Sequence, residues 1–362
     1  MIPLRVQAEI EAADPYITRV AARGSNAFDH ESDSAIVCED AEGVALAGHH
    51  GMVSLDGVGA DDIAGDVLLV DPARGIVERL FRANSAHNTL LVTERCDQLC
   101  QMCSQPPKKT HDDRFELLLE ASLLAPPGAV IGITGGEPTL YKGQLLDLVE
   151  RTLVVRPDVS FHILSNGQHI EDGDVARLRS PLFDRVLWGI PLYSADPGKH
   201  DEIVAKPNAS DRLHGTFERL LRAGARIELR TVVLATNAPQ LPDLARHIVQ
   251  RLSHIESWAI MQLESIGYAR NRWNELLFDH SSDFAPIAAA LNLASLHGLR
   301  AFLFNFPLCT VPSAYRPFAA RSISDWKQKY VEPCLRCSAR SACSGFFEWH
   351  PTIDAENWAQ PQ

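Results

Sequence analysis

The chain has 362 residues, a net charge of −12 and 46% hydrophobic residues, enough for one large domain or two to three smaller ones. The acidic balance argues against nucleic acid or an anionic membrane as a partner, because phosphate binding needs clustered Lys and Arg. No apolar run approaches the roughly 20 residues of a membrane-spanning helix. The N-terminal sequence has neither the basic start nor the apolar stretch of a signal peptide. We therefore expect a cytoplasmic protein.

The chain order predicts three regions. Residues 1–84 contain short apolar segments broken by Gly, Asp and Pro, which is typical of a small, mainly β domain. Residues 85–300 alternate between strand and helix patterns, and this alternation predicts a parallel sheet with helical crossovers. Residues 301–362 form a cysteine-rich extension. The predicted strands of the middle region lie at 90–93, 129–134, 159–164, 185–191, 226–234 and 258–263, and the predicted helices at 114–124, 145–155, 172–178, 211–223, 241–252 and 282–296.

The eight cysteines are distributed unevenly. A cytosolic chain rarely keeps disulfides, so grouped cysteines in such a chain indicate metal binding or catalysis. Cys38 stands alone, and we expect it to be a small buried residue. The other cysteines form two groups: Cys96, Cys100 and Cys103, and then Cys309, Cys334, Cys337 and Cys343.

The first group has the spacing C-x3-C-x2-C and follows the first predicted strand of the middle region. Three thiolates can hold a [4Fe–4S] cluster and leave one iron without a protein ligand. S-adenosylmethionine (AdoMet) can chelate that iron through its amino and carboxylate groups. Reduction would then cleave its sulfonium to a 5′-deoxyadenosyl radical. The alternative is a zinc site, for which His111 could supply a fourth ligand.

A glycine pair follows the second predicted strand, in Gly135-Gly136-Glu137-Pro138. Paired glycines let the backbone approach a ligand closely, and a glutamate can accept hydrogen bonds from an ammonium group. Alone, this sequence is also an ordinary strand-to-helix turn. Function in parallel-strand folds lies at the carboxyl ends of the strands, where both motifs fall.

With these motifs, the chain resembles the radical AdoMet (radical SAM) superfamily over about residues 88–300. The resemblance implies a partial (β/α)6 TIM-like barrel, with the cluster on Cys96, Cys100 and Cys103. It places Gly135, Gly136 and Glu137 at the methionyl amino group, and Ser165 and Asn166 near the ribose or carboxylate. It also pairs Arg230 with the methionyl carboxylate. The alternatives are a plain turn at 165–167 and a surface salt bridge at Arg230. Met102 stands where the superfamily often has an aromatic residue.

The second cysteine group begins with the spacing C-x2-C-x5-C, from Cys334 to Cys343, and Cys309 can complete four thiolates. Four thiolates would close an auxiliary [4Fe–4S] cluster, and the alternative is a structural zinc ion. The spacing resembles the SPASM and twitch extensions of peptide-modifying radical enzymes. Phe347 stands where the longer SPASM form has its next cysteine, so the resemblance is to the shorter twitch type.

As a whole the chain resembles the His-Xaa-Ser system radical SAM maturases, through the stretches LLVTERCDQLCQMCSQPPK, GITGGEPTLY, ILSNGQHI and SISDWKQKYVEPCLRCSARSACSGFF. This resemblance implies a ribosomally made peptide precursor as substrate and a sister radical SAM maturase as a partner. It also implies an electron donor such as flavodoxin or ferredoxin. Two other functions stay open, namely a radical enzyme acting on a small molecule or cofactor precursor, and a zinc-binding scaffold without catalysis.

Other polar residues also follow or end predicted strands of the middle region. His200-Asp201 follows the fourth predicted strand, and we expect it to lie in a solvated loop. Gln262 and Glu264 end the sixth strand, where they could contact adenosine or substrate. The sequence contains no Ser-His-Asp set and no phosphate loop, so it gives no support to hydrolysis or nucleotide-triphosphate chemistry.

Overall fold

The computed structural model describes residues 3–21 and 28–361, and its first unit is a small closed β-barrel. Its strands are hydrogen-bonded in the order β1-β5-β4-β3-β2-β6-β7, with β7 returning to β1. Alternate side chains such as Val44, Leu46, Val53 and Leu55 fill the interior. The prediction of a mainly β N-terminal region is confirmed. The elements are β1 (Arg5–Ile10), β2 (Tyr16–Val20), β3 (Asp33–Glu39), β4 (Gly43–Gly48), β5 (Gly51–Asp56), α1 (Ala60–Ile63), β6 (Val67–Asp71) and β7 (Ile76–Phe81).

Cys38 lies exposed on β3, so the prediction that it is a small buried residue is wrong. The pairing of β3 with β4 changes register between Ile36 and Cys38. Such an irregularity interrupts the alternation that would turn every second side chain inward. Val37, Cys38 and Glu39 are all exposed as a result.

The second unit is a parallel sheet whose strands run in chain order from β8 to β15. Every neighbouring pair is parallel. Among the described residues neither β8 nor β15 has a second strand partner, so the sheet is an open, partial barrel. The strands are β8 (Asn88–Thr93), β9 (Val130–Gly135), β10 (Ser160–Leu164), β11 (Val186–Pro191), β12 (Arg226–Val233), β13 (Ser257–Gln262), β14 (Arg300–Phe304) and β15 (Ala319–Ala320). The predicted α/β class and the six predicted strands are confirmed, and β14 and β15 extend the sheet.

Helices pack their apolar faces against the sheet. Residues such as Leu145, Leu213 and Leu244 are fully buried against Phe161, Trp188 and the other outward side chains of the strands. Because one face of each helix is buried, apolar residues recur at helical spacing in the sequence, and this pattern allowed the βα alternation to be predicted. The helices are α2 (Phe115–Leu123), α3 (Lys142–Val155), α4 (Val175–Leu178), α5 (Pro197–Val204), α6 (Ala209–Ala223), α7 (Leu241–Arg251), α8 (Trp273–Leu276) and α9 (Ala285–Leu296).

Helix α5 lies where the sequence had predicted a solvated loop. It begins with Pro197, and the Asp196 carboxylate accepts a hydrogen bond from Lys199 N at 3.1 Å, which caps its first turn. His200 is 1% exposed, and its Nδ1 accepts a hydrogen bond from Tyr193 N at 3.3 Å. Burial lowers the pKa of His200 to about 4. The prediction for His200 was therefore wrong, because the helix is short and only its last two residues are strongly apolar.

The C-terminal region packs back onto both preceding units. Arg82 donates two hydrogen bonds of 2.8 Å to the Asp325 carboxylate, and Trp273 Nε1 donates to Asp354 at 2.9 Å. The predicted boundary at residue 300 falls at the first residue of β14. None of the helices in the described residues is long and apolar enough to span a bilayer. The remaining elements are β16 (Gln328–Lys329), β17 (Phe346–Phe347) and α10 (Thr352–Trp358).

The core of the sheet gives a direct test of the fold. Phe161, on β10, is 1% exposed, so Phe161→Ala should lower the free energy of unfolding by about 3–5 kcal/mol through lost burial and a cavity. Val155→Ala, at an exposed helix end, should change it by less than about 0.5 kcal/mol. Urea unfolding of both variants measures the difference. Equal effects would contradict this placement of Phe161.

Candidate functional site

Backbone hydrogen bonds link the carboxyl ends of β8 and β9 next to the first cysteine. Gly136 N donates to Thr93 O at 2.8 Å, and Glu137 N donates to Arg95 O at 2.7 Å. A Cβ atom on Gly136 would lie 2.2 Å from Arg95 O and 2.9 Å from Cys96 N. Only glycine permits this approach, so the glycine pair lies against the start of the cysteine loop, defined here as residues 96–103.

The three thiols of the cysteine loop are partly buried and influence one another. Burial raises the pKa of Cys96 to about 11 and that of Cys100 to about 12, and it also raises the pKa of Cys103. Negative charge on Cys103 raises the pKa of the other two further, so the three sulfurs lie within electrostatic reach. Without a metal the thiols are therefore protonated, and metal binding must release these protons.

Neither cysteine group is already gathered around a single point. Within residues 3–21 and 28–361, no three His, Cys, Asp or Glu side chains form a group that could hold one metal ion. Each thiolate of a four-iron cluster binds a different iron, so cluster ligands stand further apart than the ligands of one ion.

Glu137 is fully buried and fastens β9 to β10. Its Oε1 accepts hydrogen bonds from Thr139 N and Ser165 Oγ, both at 2.8 Å, and from Thr139 Oγ1. Its Oε2 accepts from Asn166 N at 2.5 Å. Burial raises the pKa of Glu137, and the four donors oppose this rise. The Glu137 side chain thus holds the ends of β9 and β10 together. The contact with the cysteine loop is made by the backbone of Gly136.

Asp97 is a site residue that the sequence analysis missed. Its carboxylate accepts from Asn166 Nδ2 at 2.8 Å, from His169 Nε2 at 3.1 Å and from Lys206 Nζ. Burial alone would raise the pKa of Asp97, but these donors outweigh it and hold the pKa well below the usual range. Ser165 therefore contacts Glu137, and Asn166 contacts both Glu137 and Asp97. The contact of these two residues with AdoMet stays a prediction. The nearest sequence signal was an acidic residue beside the first cysteine.

Arg230 lies inside the barrel, so it does not form the surface salt bridge considered as its alternative. Its Nη1 donates to Glu228 Oε1 at 2.5 Å, and His162 Nε2 lies 3.3 Å from the same oxygen. The guanidinium carbon is 6.0 Å from the centre of the Phe304 ring. A Cβ on Gly189 would lie 3.0 Å from His162 Nε2 and 3.1 Å from Arg230 Cδ. The absence of a side chain at this position of β11 therefore gives the two side chains the space in which they approach each other.

Tyr193 follows β11 and is a second residue that the sequence analysis missed. It packs with Cys100 and Met102, and burial raises the pKa of its phenol. Charges on Cys100, Cys103, Cys96 and Arg230 also affect this pKa, so these groups lie within electrostatic reach of the phenol. An isolated tyrosine after a strand gave no signal in the sequence.

The other positions singled out in the sequence have clear places. Met102 is 7% exposed and packs with Ile203 and Leu263, as expected of an adaptable apolar residue. Gln262 is buried at the end of β13. Glu264 lies 3.6 Å from Lys327 Nζ, between the barrel and the C-terminal region. His111 stacks on Tyr141 with ring centroids 3.7 Å apart.

The four cysteines of the second group line one cavity. Cys343 Sγ accepts hydrogen bonds from Leu308 N and Gly345 N, both at 3.3 Å. Tyr330 and Arg340 also line the cavity, with the guanidinium carbon 4.8 Å from the ring centre. Cys309 and the three cysteines of the C-x2-C-x5-C segment, Cys334, Cys337 and Cys343, thus line the same cavity.

Residues 90–248 match the sequence model of the radical SAM superfamily. This segment is similar to a radical SAM domain. It spans β8 to β12 and both motifs of the site. The similarity implies a [4Fe–4S] cluster and AdoMet. No curated protein sequence matches the chain.

Solved structures with a similar fold are distant in sequence. Streptococcus suis SuiB bound to S-adenosylmethionine is 16% identical, with a TM-score of 0.45, over 59% of this chain and 46% of the SuiB chain. Native anSMEcpe with bound AdoMet and Cp18Cys peptide is 14% identical, with a TM-score of 0.43, over 59% and 62%. A radical SAM methyltransferase from Sphaerobacter thermophilus is 12% identical, with a TM-score of 0.45, over 72% of both chains. The match thus spans less than half the length of SuiB.

The residues of the matched segment fit the implied cluster. Three thiols share one short loop and lie within mutual electrostatic reach. Thiolates are the usual ligands of iron–sulfur clusters, and three of them leave one iron for a small-molecule ligand. The backbone cradle at Gly136, which a Cβ would fill, lies directly beside the first of these thiols.

The close approach at Gly136 predicts the effect of a single methyl group. Gly136→Ala should push the cysteine loop away from β9 and lower iron and acid-labile sulfide content several-fold after anaerobic reconstitution. Gly143→Ala is the matched control, because its Cβ would meet no atom within 4 Å and the helix α3 tolerates alanine. Full cluster content in Gly136→Ala would contradict the assigned contact.

Proposed function

We propose that this chain is a radical SAM enzyme that reductively cleaves AdoMet at a [4Fe–4S] cluster on Cys96, Cys100 and Cys103 and modifies a ribosomally made peptide. The observation that carries the proposal is the contact between the glycine pair and the cysteine loop, within a segment that matches the superfamily. When bound, the cluster would supply the electron that converts AdoMet to methionine and a 5′-deoxyadenosyl radical.

The chain's own residues would bind and orient AdoMet. The backbone of Gly135 and Gly136 offers acceptors for its ammonium group beside Cys96, with Glu137 holding this backbone in place. Ser165 and Asn166 are proposed near the ribose or carboxylate, at the adjoining strand end.

Arg230 is proposed to bind the methionyl carboxylate. Only its Nη1 is engaged by Glu228 in the described contacts, and its side chain is 20% exposed. Guanidinium groups bind carboxylates through paired hydrogen bonds, which suits this role. The phenol of Tyr193 lies within electrostatic reach of Arg230 and the thiols, and it would help to exclude water from this part of the site.

The C-terminal region is proposed to hold an auxiliary [4Fe–4S] cluster on Cys309, Cys334, Cys337 and Cys343. Support comes from the shared cavity and from the two backbone N–H groups that donate to Cys343 Sγ. Such donors stabilise thiolate charge on a bound cluster.

The proposal of a peptide substrate rests on the twitch-like cysteine spacing and on the resemblance to the His-Xaa-Ser system maturases. The accompanying partners would be a peptide precursor, a sister maturase, and an electron donor such as flavodoxin or ferredoxin.

Removing one cysteine from each group separates the two proposed clusters. Cys96→Ala should abolish 5′-deoxyadenosine formation, because the site-forming cluster loses a ligand. Cys337→Ala should retain part of this cleavage, uncoupled, and lose the peptide product. Anaerobic assays with dithionite and liquid chromatography of 5′-deoxyadenosine, with mass spectrometry of the peptide, measure both. Product formation by Cys337→Ala would contradict the auxiliary-cluster role.

The same assay tests the substrate class. A His-Xaa-Ser repeat peptide should change mass only in the presence of AdoMet and reductant. Cleavage of AdoMet with no change in the peptide would favour a small-molecule substrate. Protein that binds zinc and forms no 5′-deoxyadenosine would contradict the proposed activity altogether.

A further inference from the structure

The cysteine loop docks on the C-terminal end of α5, a helix that carries none of the cysteines. Leu99 N donates to Val204 O at 3.3 Å, and Gln101 N donates to Ile203 O at 2.9 Å. Gln101 Nε2 donates to Glu202 O at 3.1 Å. The carbonyls of Ile203 and Val204 are the last two of the helix and have no partner within it, whereas Glu202 O also accepts a hydrogen bond from Ala205 N at 3.2 Å. The loop therefore completes the hydrogen bonding of the helix end, and the helix end fixes the loop.

The turn between α5 and α6, residues 205–208, is held in an unusual conformation. Ala205 has φ 52° and Asn208 has φ 59°, and among the described residues the only other non-glycine residue with positive φ is Asn305. Such residues persist where surrounding contacts over-determine them. Here the Asp201 carboxylate accepts from Asn208 N at 2.5 Å and from Ser210 N at 2.8 Å.

Lys206 lies between the two positive-φ residues, and its ammonium group contacts the Asp97 carboxylate in the cysteine loop. Both side chains are largely buried, with 19% and 23% of their surfaces exposed. Asn166 and His169 donate to the same carboxylate from the end of β10. Asp97 is thus held from two sides, and Lys206 is its one contact from the α5–α6 turn.

We propose that the α5–α6 turn positions the cysteine loop for cluster binding, with the Asp97–Lys206 ion pair as its point of attachment. The proposal rests on the proposed cluster at Cys96, Cys100 and Cys103. Asp97 and Lys206 are positioning residues that act through the loop, and the helix carbonyls fix the segment between Cys96 and Cys103.

Metal-free protein tests the positioning directly. Lys206→Met should let the loop open more often, so that iodoacetamide alkylates Cys96, Cys100 and Cys103 about fivefold faster, as mass spectrometry of the peptides would measure. Lys206→Arg should restore most of the protection. Lys199→Met is the matched control, because among the described residues the Lys199 ammonium forms an ion pair only with Glu202 on the same helix. The alkylation rate should not change in this variant.

Asp97→Asn provides a second variant if Lys206→Met does not fold, and alkylation should rise in it as well. Reactivity equal to that of the wild type in both variants would overturn the proposal. A wild-type protein that forms no cluster would instead overturn the proposed function, since the alkylation test needs none.

The reduction potential of the reconstituted cluster distinguishes this pair from general stabilisation. Lys206→Met leaves negative charge on Asp97 beside Cys96, which disfavours reduction and should lower the potential. Asp97→Asn leaves the positive charge of Lys206 and should raise it. The double variant should lie near the wild type. A redox titration monitored by EPR measures these potentials. If the potential shifted in the same direction in both single variants, the role of the pair would be merely structural, which would contradict the proposal.

Discussion

The contact between Gly136 and the backbone of Arg95 and Cys96 is the constraint on which the site depends. Parallel strands bring their carboxyl ends to one edge of a sheet. This arrangement alone does not bring the loops that follow two strands within hydrogen-bonding distance of each other. The missing side chain at Gly136 allows Glu137 N to reach Arg95 O. The thiols, the backbone acceptors and the barrel interior take their positions from that junction.

Two carboxylates, one fully buried and the other largely buried, stabilise this junction. Glu137 collects donors from its own turn and from the end of β10, while Asp97 collects donors from β10 and from the α5–α6 turn. A buried carboxylate is tolerated only when such donors offset its lost hydration, so each one specifies the arrangement of the segments around it. Asn166 donates to both carboxylates, through its backbone and its side chain.

Much of the fold could be predicted from the sequence, because βα alternation and clustered cysteines are local patterns. The strand over 159–164 and the helix over 145–155 agree with β10 and α3 to within a few residues. Long-range partners could not be predicted. Nothing in the sequence links Asp97 to Lys206, 109 residues away, and a bulge in β3 decided the exposure of Cys38. Helix α5 was missed because its contacts with the cysteine loop, more than its own pattern, explain its place.

The proposed activity depends on a cluster at the first cysteine group with one iron open to AdoMet. The most direct measurement is the EPR spectrum of a reduced protein in which Cys334, Cys337 and Cys343 are all replaced by alanine. We expect a single [4Fe–4S] signal whose g-values shift when AdoMet is added, because AdoMet binds the cluster. A signal that AdoMet leaves unchanged, or a protein with zinc and no cluster at these three thiols, would contradict it.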